Sequence, residues 1–150
     1  MKLVICLLLT AAFGMAAQQG VDVYTAQDLQ GMGEKLAQKR SQFAAQDLAR
    51  YGTHYTMLAE RGQTGSSELH EHEADFFIVE GGEATIVTGG KMVNPRTQKR
   101  GEIRGSSIAG GERHRLAIGD IIHIPAGTPH QLLVDKGKPF TYFVVKVKDE

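Results

Sequence analysis

The chain has 150 residues, and its 17 Lys and Arg residues balance 17 Asp and Glu residues, so the formal net charge is zero. This balance argues against the basic surface of nucleic-acid-binding proteins and against a polybasic membrane patch, and the length favours one domain. Many of the 18 glycines lie between positions 81 and 119, a distribution that predicts many turns and an all-β protein.

The first 17 residues have the pattern of a secretory signal peptide. Lys2 precedes an apolar run that ends near Ala16 and Ala17, and the run is shorter than the roughly 20 apolar residues of a transmembrane helix. We expect cleavage near these alanines, a secreted or periplasmic protein, and no membrane attachment afterwards; an uncleaved anchor is the alternative. Cys6 is the one cysteine, so the mature chain would have no disulfide.

Residues 18–51 are predicted to form a helical segment ahead of the β-rich part. Thr25 and Asp28 resemble an N-cap pair, and apolar residues then recur at spacings of three and four, which predicts a helix over residues 25–39. A second short helix is predicted over residues 41–50. We interpret this segment as a cover for a sheet edge or as a dimer contact.

After residue 52 apolar and polar residues alternate, and about eight short strands are expected, enough for a sandwich or a closed barrel. The segments with strand character are 54–61, 68–80, 83–89, 112–125, 130–135 and 140–148. Residues 89–111 are expected to be loop-like. Their basic run, 91–104, is interpreted as a solvated loop, or alternatively as a surface that attracts an anionic ligand to the barrel mouth.

Two histidines stand two positions apart in the stretch "SSELHEHEADFFIVEGG". Side chains at i and i+2 of a strand share a face, so His70 and His72 are predicted to project together and to hold one metal ion. A regular strand would place Asp75 on the opposite face from His72, whereas a bulge at Glu73 and Ala74 would turn it inward. A carboxylate and a third histidine would complete three or four ligands.

The third histidine ends the stretch "GDIIHIPAGTPH", in which Gly119, Pro125, Gly127 and His130 follow the spacing Gly-x5-Pro-x-Gly-x2-His. This spacing resembles the second motif of the cupin superfamily, whose final Asn is Val134 here.

The stretch around His70 is similar to the first cupin motif, Gly-x5-His-x-His-x3,4-Glu-x6-Gly. Gly82 fits its final position, and Asp75 stands where the motif has Glu. Two spacings depart from the motif, because Gly65 is one residue too close to His70 and only two residues separate His72 from Asp75.

The resemblance implies a cupin-type jelly-roll β-barrel over residues 52–150, preceded by the short helical segment. It implies one divalent transition metal ion (Fe, Mn, Zn, Ni or Cu) bound by the family's ligand positions, which are His70, His72, Asp75 and His130. A barrel that has lost its metal, with these side chains satisfied by hydrogen bonds, is the alternative.

For function, the resemblance implies a metal-dependent enzyme acting on a small polar molecule, of the dioxygenase, isomerase or lyase type. The alternatives are a non-catalytic barrel that binds a carbohydrate-like small molecule and a storage-type barrel without active metal. His123 is the candidate catalytic acid or base, although its isoleucine neighbours favour a core or interface position. His114 is a second candidate; if both histidines face away from the cavity, the binding hypothesis gains.

The last strand carries β-branched and aromatic residues on both faces, in "FTYFVVKV". A strand of this kind is buried on both sides, so we expect a homodimer, or the N-terminal helices, to cover its outer face. Tyr142 alternates with Val144 and is expected to face away from the site.

Overall fold

The structure, a computed structural model, describes residues 20–149, and the predicted signal peptide lies outside them. Within these residues one helix is followed by thirteen strands, with the bounds α1 Ala26–Ala37, β1 Phe43–Arg50, β2 His54–Arg61, β3 Ser67–His70, β4 Glu73–Gly81, β5 Ala84–Thr88, β6 Lys91–Val93, β7 Arg96–Lys99, β8 Glu102–Gly105, β9 Ser107–Ala109, β10 Glu112–Leu116, β11 Ile121–Ile124, β12 His130–Leu133 and β13 Phe140–Lys148.

The strands form two large antiparallel sheets and one small one. The first sheet has the order β1-β2-β13-β4-β11, the second has the order β10-β5-β12-β3-β8-β7, and β6 pairs with β9. Most strands pair with partners far away in the chain, as β13 does with β2 and β4, so both sheets are wound together as in a jelly roll. The prediction of an all-β barrel preceded by a short helical segment is therefore confirmed.

The main core lies between the two large sheets. Strand alternation directs one face of each strand inward, and β4 contributes Phe77 and Val79 while β13 contributes Phe140, Tyr142 and Val144. These side chains are nearly inaccessible to solvent. The predicted outward position of Tyr142 is wrong, because its phase on β13 is that of the buried core residues.

Helix α1 covers the outer face of the first sheet. Thr25 and Asp28 form the predicted capping box, and Leu29 and Leu36 pack with Leu58 in a second buried cluster that also contacts Phe143 of β13. A Cβ added at Gly33 would lie 3.1 Å from Thr141 Cγ2, so glycine permits the close approach of helix and sheet. No helix within residues 20–149 has the length and apolar character required to cross a membrane.

The predicted second helix, residues 41–50, is wrong: Phe43–Arg50 is strand β1. It pairs antiparallel with β2, and a register shift between Asp47 and Ala49 lets both Ala44 and Ala49 be buried. Pairing with β2 satisfies the backbone hydrogen bonds of this segment, and this tertiary interaction overrides its weak local helix preference.

The expectation of a loop over residues 89–111 is also wrong, because this part of the chain forms β6 to β9. Strands β7 and β8 extend the second sheet beyond β3, with Glu68 of β3 opposite Arg104 of β8 and His70 opposite Glu102. The segment therefore supplies side chains next to the predicted metal ligands.

Candidate metal centre

Three strands bring four ligand-type side chains together inside the barrel. Glu68 and His70 share the inward face of β3, Asp75 points inward from β4 in phase with Phe77, and His130 begins β12 opposite Glu68. The turn before β12 is tied to β3, because the backbone N–H of Gly127 donates to the carbonyl of His70 at 2.7 Å. All four side chains are at least 85 % removed from solvent.

The ligand atoms of these side chains converge on one point. Asp75 Oδ2 lies 3.3 Å from His70 Nε2 and 3.5 Å from His130 Nε2, and Glu68 Oε2 lies 3.7 Å and 3.9 Å from the same two nitrogens. Ligands about 2.0–2.2 Å from a tetrahedral ion are separated by roughly 3.3–3.6 Å. The two distances from Asp75 fall in this range and the two from Glu68 are slightly longer, and the ligand atoms of Glu68, His70 and His130 all lie within 4.8 Å of one another.

Cationic side chains orient the two carboxylates. Glu68 Oε1 is held by Arg61 Nη2 at 2.6 Å and by Arg104 Nη1 at 2.5 Å, and Asp75 Oδ1 lies 2.7 Å from Lys146 Nζ. In each carboxylate one oxygen contacts a cation and the other faces the two imidazoles. Such pairing restrains both side chains and leaves one oxygen of each available to a ligand.

Each imidazole is also oriented through its remote nitrogen. His70 Nδ1 lies 2.8 Å from Glu102 Oε1, and His130 Nδ1 lies 3.1 Å from the carbonyl oxygen of Thr128. Both acceptors favour the proton on Nδ1, so the lone pair is on Nε2. The two Nε2 atoms are buried, and neither has a hydrogen-bond partner within residues 20–149.

The surrounding charges set the protonation states of the group. Burial alone would raise the pKa of Glu68 and Asp75, but Arg61 and Arg104 around Glu68, and the close contacts of Asp75 with His70 and Lys146, hold both values below their usual range. Burial lowers the pKa of His130 although both carboxylates oppose it. Both acids are therefore anionic and His130 is neutral near pH 7, which are the states that bind metal ions.

His72 lies outside this group, contrary to the prediction that it shares a face with His70. Strand β3 ends at His70, the chain bends at Glu71 and His72, and β4 begins at Glu73, so the period of two is interrupted and His72 is exposed. The predicted bulge at Glu73 and Ala74 is absent, since β4 pairs there with β13 in regular register. Asp75 turns inward because of the preceding bend.

Glu68 occupies the position of the first histidine of the cupin motif, which the prediction assigned to His70. Gly62, Glu68, His70, Asp75 and Gly82 satisfy every spacing of the first cupin motif, Gly-x5-His-x-His-x4-Glu-x6-Gly, with Glu68 at the first histidine and Asp75 at the glutamate. The prediction aligned His70 with the first histidine of the motif, two residues too far along the chain. The irregular spacings from Gly65 to His70 and from His72 to Asp75 were the signal in the sequence that this alignment was wrong.

Other residues around the centre come from positions that carried no sequence signal. Glu102 and Arg104 lie in the segment expected to be a loop, and Arg61 ends β2. Arg61 Nε donates to the phenol oxygen of Tyr142 at 3.1 Å, and burial raises the pKa of Tyr142 to about 12. Tyr142 therefore remains protonated beside the centre.

His123 and His114 do not contact the centre. His123 is exposed and stacks on Phe76 with ring centroids 4.3 Å apart, on the outer face of the first sheet. His114 is partly exposed and lies 3.6 Å from Glu112. Both line a shallow groove between β10 and β11 that includes none of the four ligand-type side chains. Neither histidine is therefore placed to act on a molecule bound beside His70.

A cavity of about 550 Å³ leads from the surface to the centre. Its inner wall is apolar, with Met57, Phe77 and Val144, while Gln98 and Lys99 of β7 lie at the exposed end. This volume is typical of small-molecule sites, which are concave and largely apolar with a few polar groups. A small molecule entering the cavity would reach Glu68, His70 and Asp75 directly.

Comparison with solved structures identifies the fold. A cupin superfamily protein from Desulfitobacterium hafniense superposes with a TM-score of 0.52 at 16% identity, covering 73% of this chain and 80% of that one. A conserved protein with a double-stranded β-helix domain from Klebsiella pneumoniae gives 0.58 at 16% identity, covering 87% and 93%. The chain therefore has the fold of the cupin superfamily.

An enzyme is among the similar structures. The DMSP lyase DddQ from Ruegeria pomeroyi superposes with a TM-score of 0.52 at 20% identity, covering 75% of this chain. The chain spans half the length of that lyase. At the level of sequence, no protein-family model and no curated protein matches the chain.

Proposed function

We propose that the protein binds one divalent transition metal ion through Glu68, His70, Asp75 and His130. The observation that supports this proposal is the pair of buried imidazole Nε2 atoms that lack a hydrogen-bond partner within residues 20–149 and face two carboxylate oxygens. Buried polar atoms are rarely left unpaired, and each costs about 1–3 kcal/mol. A bound cation would satisfy all four atoms at once.

The donor set also fits such an ion. Two imidazoles and two carboxylates suit Mn, Fe or Zn in the divalent state, and Ni and Cu are the further candidates. The contacts of His70 with Glu102 and of His130 with the Thr128 carbonyl have the form of the outer-shell partners that orient histidine ligands.

We propose further that the protein is a metal-dependent enzyme acting on a small polar molecule, of the dioxygenase, isomerase or lyase type. The bound metal would supply Lewis acidity to an oxygen atom of the substrate. The cavity would orient the substrate, and Tyr142 is the candidate hydrogen-bond donor to it, because the phenol oxygen accepts from Arg61 while the raised pKa of about 12 keeps its own proton in place. The lyase DddQ, with the same fold, is consistent with this proposal.

A non-catalytic barrel that binds a small molecule is the second candidate. The observation in its favour is the position of His114 and His123, the two imidazoles expected to act as acid or base, which lie on an outer groove away from the cavity. Turnover of a small polar substrate that requires metal would favour the enzyme hypothesis over the binding hypothesis. That turnover should be lost in Tyr142→Phe while the metal content stays unchanged.

The metal proposal is tested by elemental analysis of the parent and three variants purified side by side. His70→Ala and His130→Ala each remove a buried ligand and should abolish stoichiometric metal. His72→Ala is the matched control, since this exposed histidine lies two positions from His70 and should leave the metal content unchanged. Loss of metal in His72→Ala, or retention in both other variants, would contradict the proposed ligand set.

Two further expectations are part of the proposal. Export to the periplasm or medium is supported by the signal-peptide pattern of residues 1–17. A homodimer is supported by exposed Ile118 and Ile121 beside the edge strand β11, although α1 already covers Phe143 on the outer face of the first sheet.

A further inference from the structure

The charges that line the cavity are unequal, although the whole chain is neutral. The cavity is lined by four cationic side chains and three carboxylates, so its lining has a net charge of one positive unit. The cations are Arg61, Lys99, Arg104 and Lys146, and the acids are Glu68, Asp75 and Glu102. A concave site with an excess of one sign of charge focuses its electric field on any molecule that enters it.

All three acids are already engaged with cations. Glu68 contacts Arg61 and Arg104, Asp75 contacts Lys146, and Glu102 contacts Arg104 as well as His70. Lys99 is the remaining cation and forms no ion pair with a carboxylate of residues 20–149. It lies at the exposed end of the cavity, on β7, where β7 and β8 form the wall of the mouth.

We infer that the cavity accepts a small organic carboxylate, whose charged end is bound at the mouth by Lys99 and the accessible part of Arg104. The Arg104 side chain is 27% exposed, so donors of its guanidinium remain free beside the bonds to Glu68 and Glu102. The apolar wall of Met57, Phe77 and Val144 would contact the carbon skeleton.

This inference rests on the proposed function in one respect. A divalent ion at the centre would raise the excess from one positive charge to three, and so would strengthen the preference for an anion without creating it. The basic run of residues 91–104 thus contributes to ligand binding through Lys99 and Arg104, and it is more than a solvated loop.

The test is calorimetric titration of the full chain with succinate, with its uncharged diamide succinamide and with inorganic phosphate, at constant ionic strength. We expect succinate to bind at least about tenfold more tightly than succinamide and than phosphate, in line with a charge-assisted contact. Lys99→Gln should weaken succinate binding about three- to tenfold. Lys91→Gln is the matched control, because Lys91 is exposed on β6 and does not line the cavity.

Equal affinity for succinate and succinamide, no binding of either, tighter binding of phosphate, or an equal effect of the two lysine variants would each overturn the inference. The titrations are run on metal-loaded and metal-free protein with the metal content measured in each sample. Preference for succinate in a protein that binds no metal would refute the metal centre alone. Stoichiometric metal without this preference would refute the carboxylate assignment alone.

Discussion

Replacing Glu102 by alanine should weaken metal binding although Glu102 is not a proposed ligand. Its Oε1 atom lies 2.8 Å from His70 Nδ1, and the side chain is mostly buried. Without this acceptor, the His70 proton is no longer held on Nδ1. The tautomer that carries the proton on Nε2, and has no lone pair for the metal, then competes.

The magnitude follows from the kind of contact that is lost. A hydrogen bond to a charged group contributes about 1.5–3 kcal/mol. Loss of an outer-shell partner typically weakens metal affinity about 10–100-fold, which corresponds to roughly 1.4–2.8 kcal/mol. Both estimates agree, so we expect the dissociation constant of Glu102→Ala to rise by this factor. Glu102→Gln should lose less, because its amide oxygen can still accept from Nδ1.

The assay is competition for Zn²⁺ or Mn²⁺ against a chromogenic chelator at fixed pH, with far-UV circular dichroism to verify folding. Glu112→Ala is the control, because that carboxylate lies 3.6 Å from His114, is 77% exposed and is remote from the cavity. A folded Glu102→Ala protein whose affinity stays within about twofold of the parent would refute the orientation argument.

The remaining predictions concern stability, assembly and export. Leu36→Ala should lower the free energy of unfolding by about 2–5 kcal/mol in denaturant titration, because Leu36 of α1 is buried against Leu58 of the first sheet; a loss under about 1 kcal/mol would contradict helix docking. Hydrogen bonds with Thr25 lower the pKa of Asp28, so its stabilisation is present above the ordinary value of 3.8 and disappears as pH falls through the lowered value. Asp28→Asn should therefore reduce thermal stability at neutral pH and not in strong acid, whereas an equal reduction at both would oppose the capping argument. Light scattering should give the mass of two chains, and a single-chain mass would exclude the dimer. Mass spectrometry of exported protein should find a first residue near Ala17, and an intact Met1 would contradict cleavage.

The amino-acid sequence determined the parts of the fold that depend on local pattern. Thr25 and Asp28 define the start of α1 because a capping box needs only neighbouring residues. Alternation after residue 52 predicted the β-rich barrel, and the spacing from Gly119 to His130 located one ligand-type histidine in the strand that enters the centre. His70 and Asp75 were also predicted as ligands, because both stand in a motif of fixed spacing, and the structure places them next to each other and to His130.

Only the tertiary structure decided which side chains complete the centre. The face on which a strand residue lies is known once the ends of the strand are known, and the end of β3 at His70 depends on its pairing with β8 and β12. Because β3 ends at His70, Glu68 is the residue that shares the inward face with His70, and His72 lies in the bend that follows. Arg104 and Lys146 likewise reach the carboxylates from strands distant in sequence, because sheet pairing brings them together and no local pattern encodes such contacts.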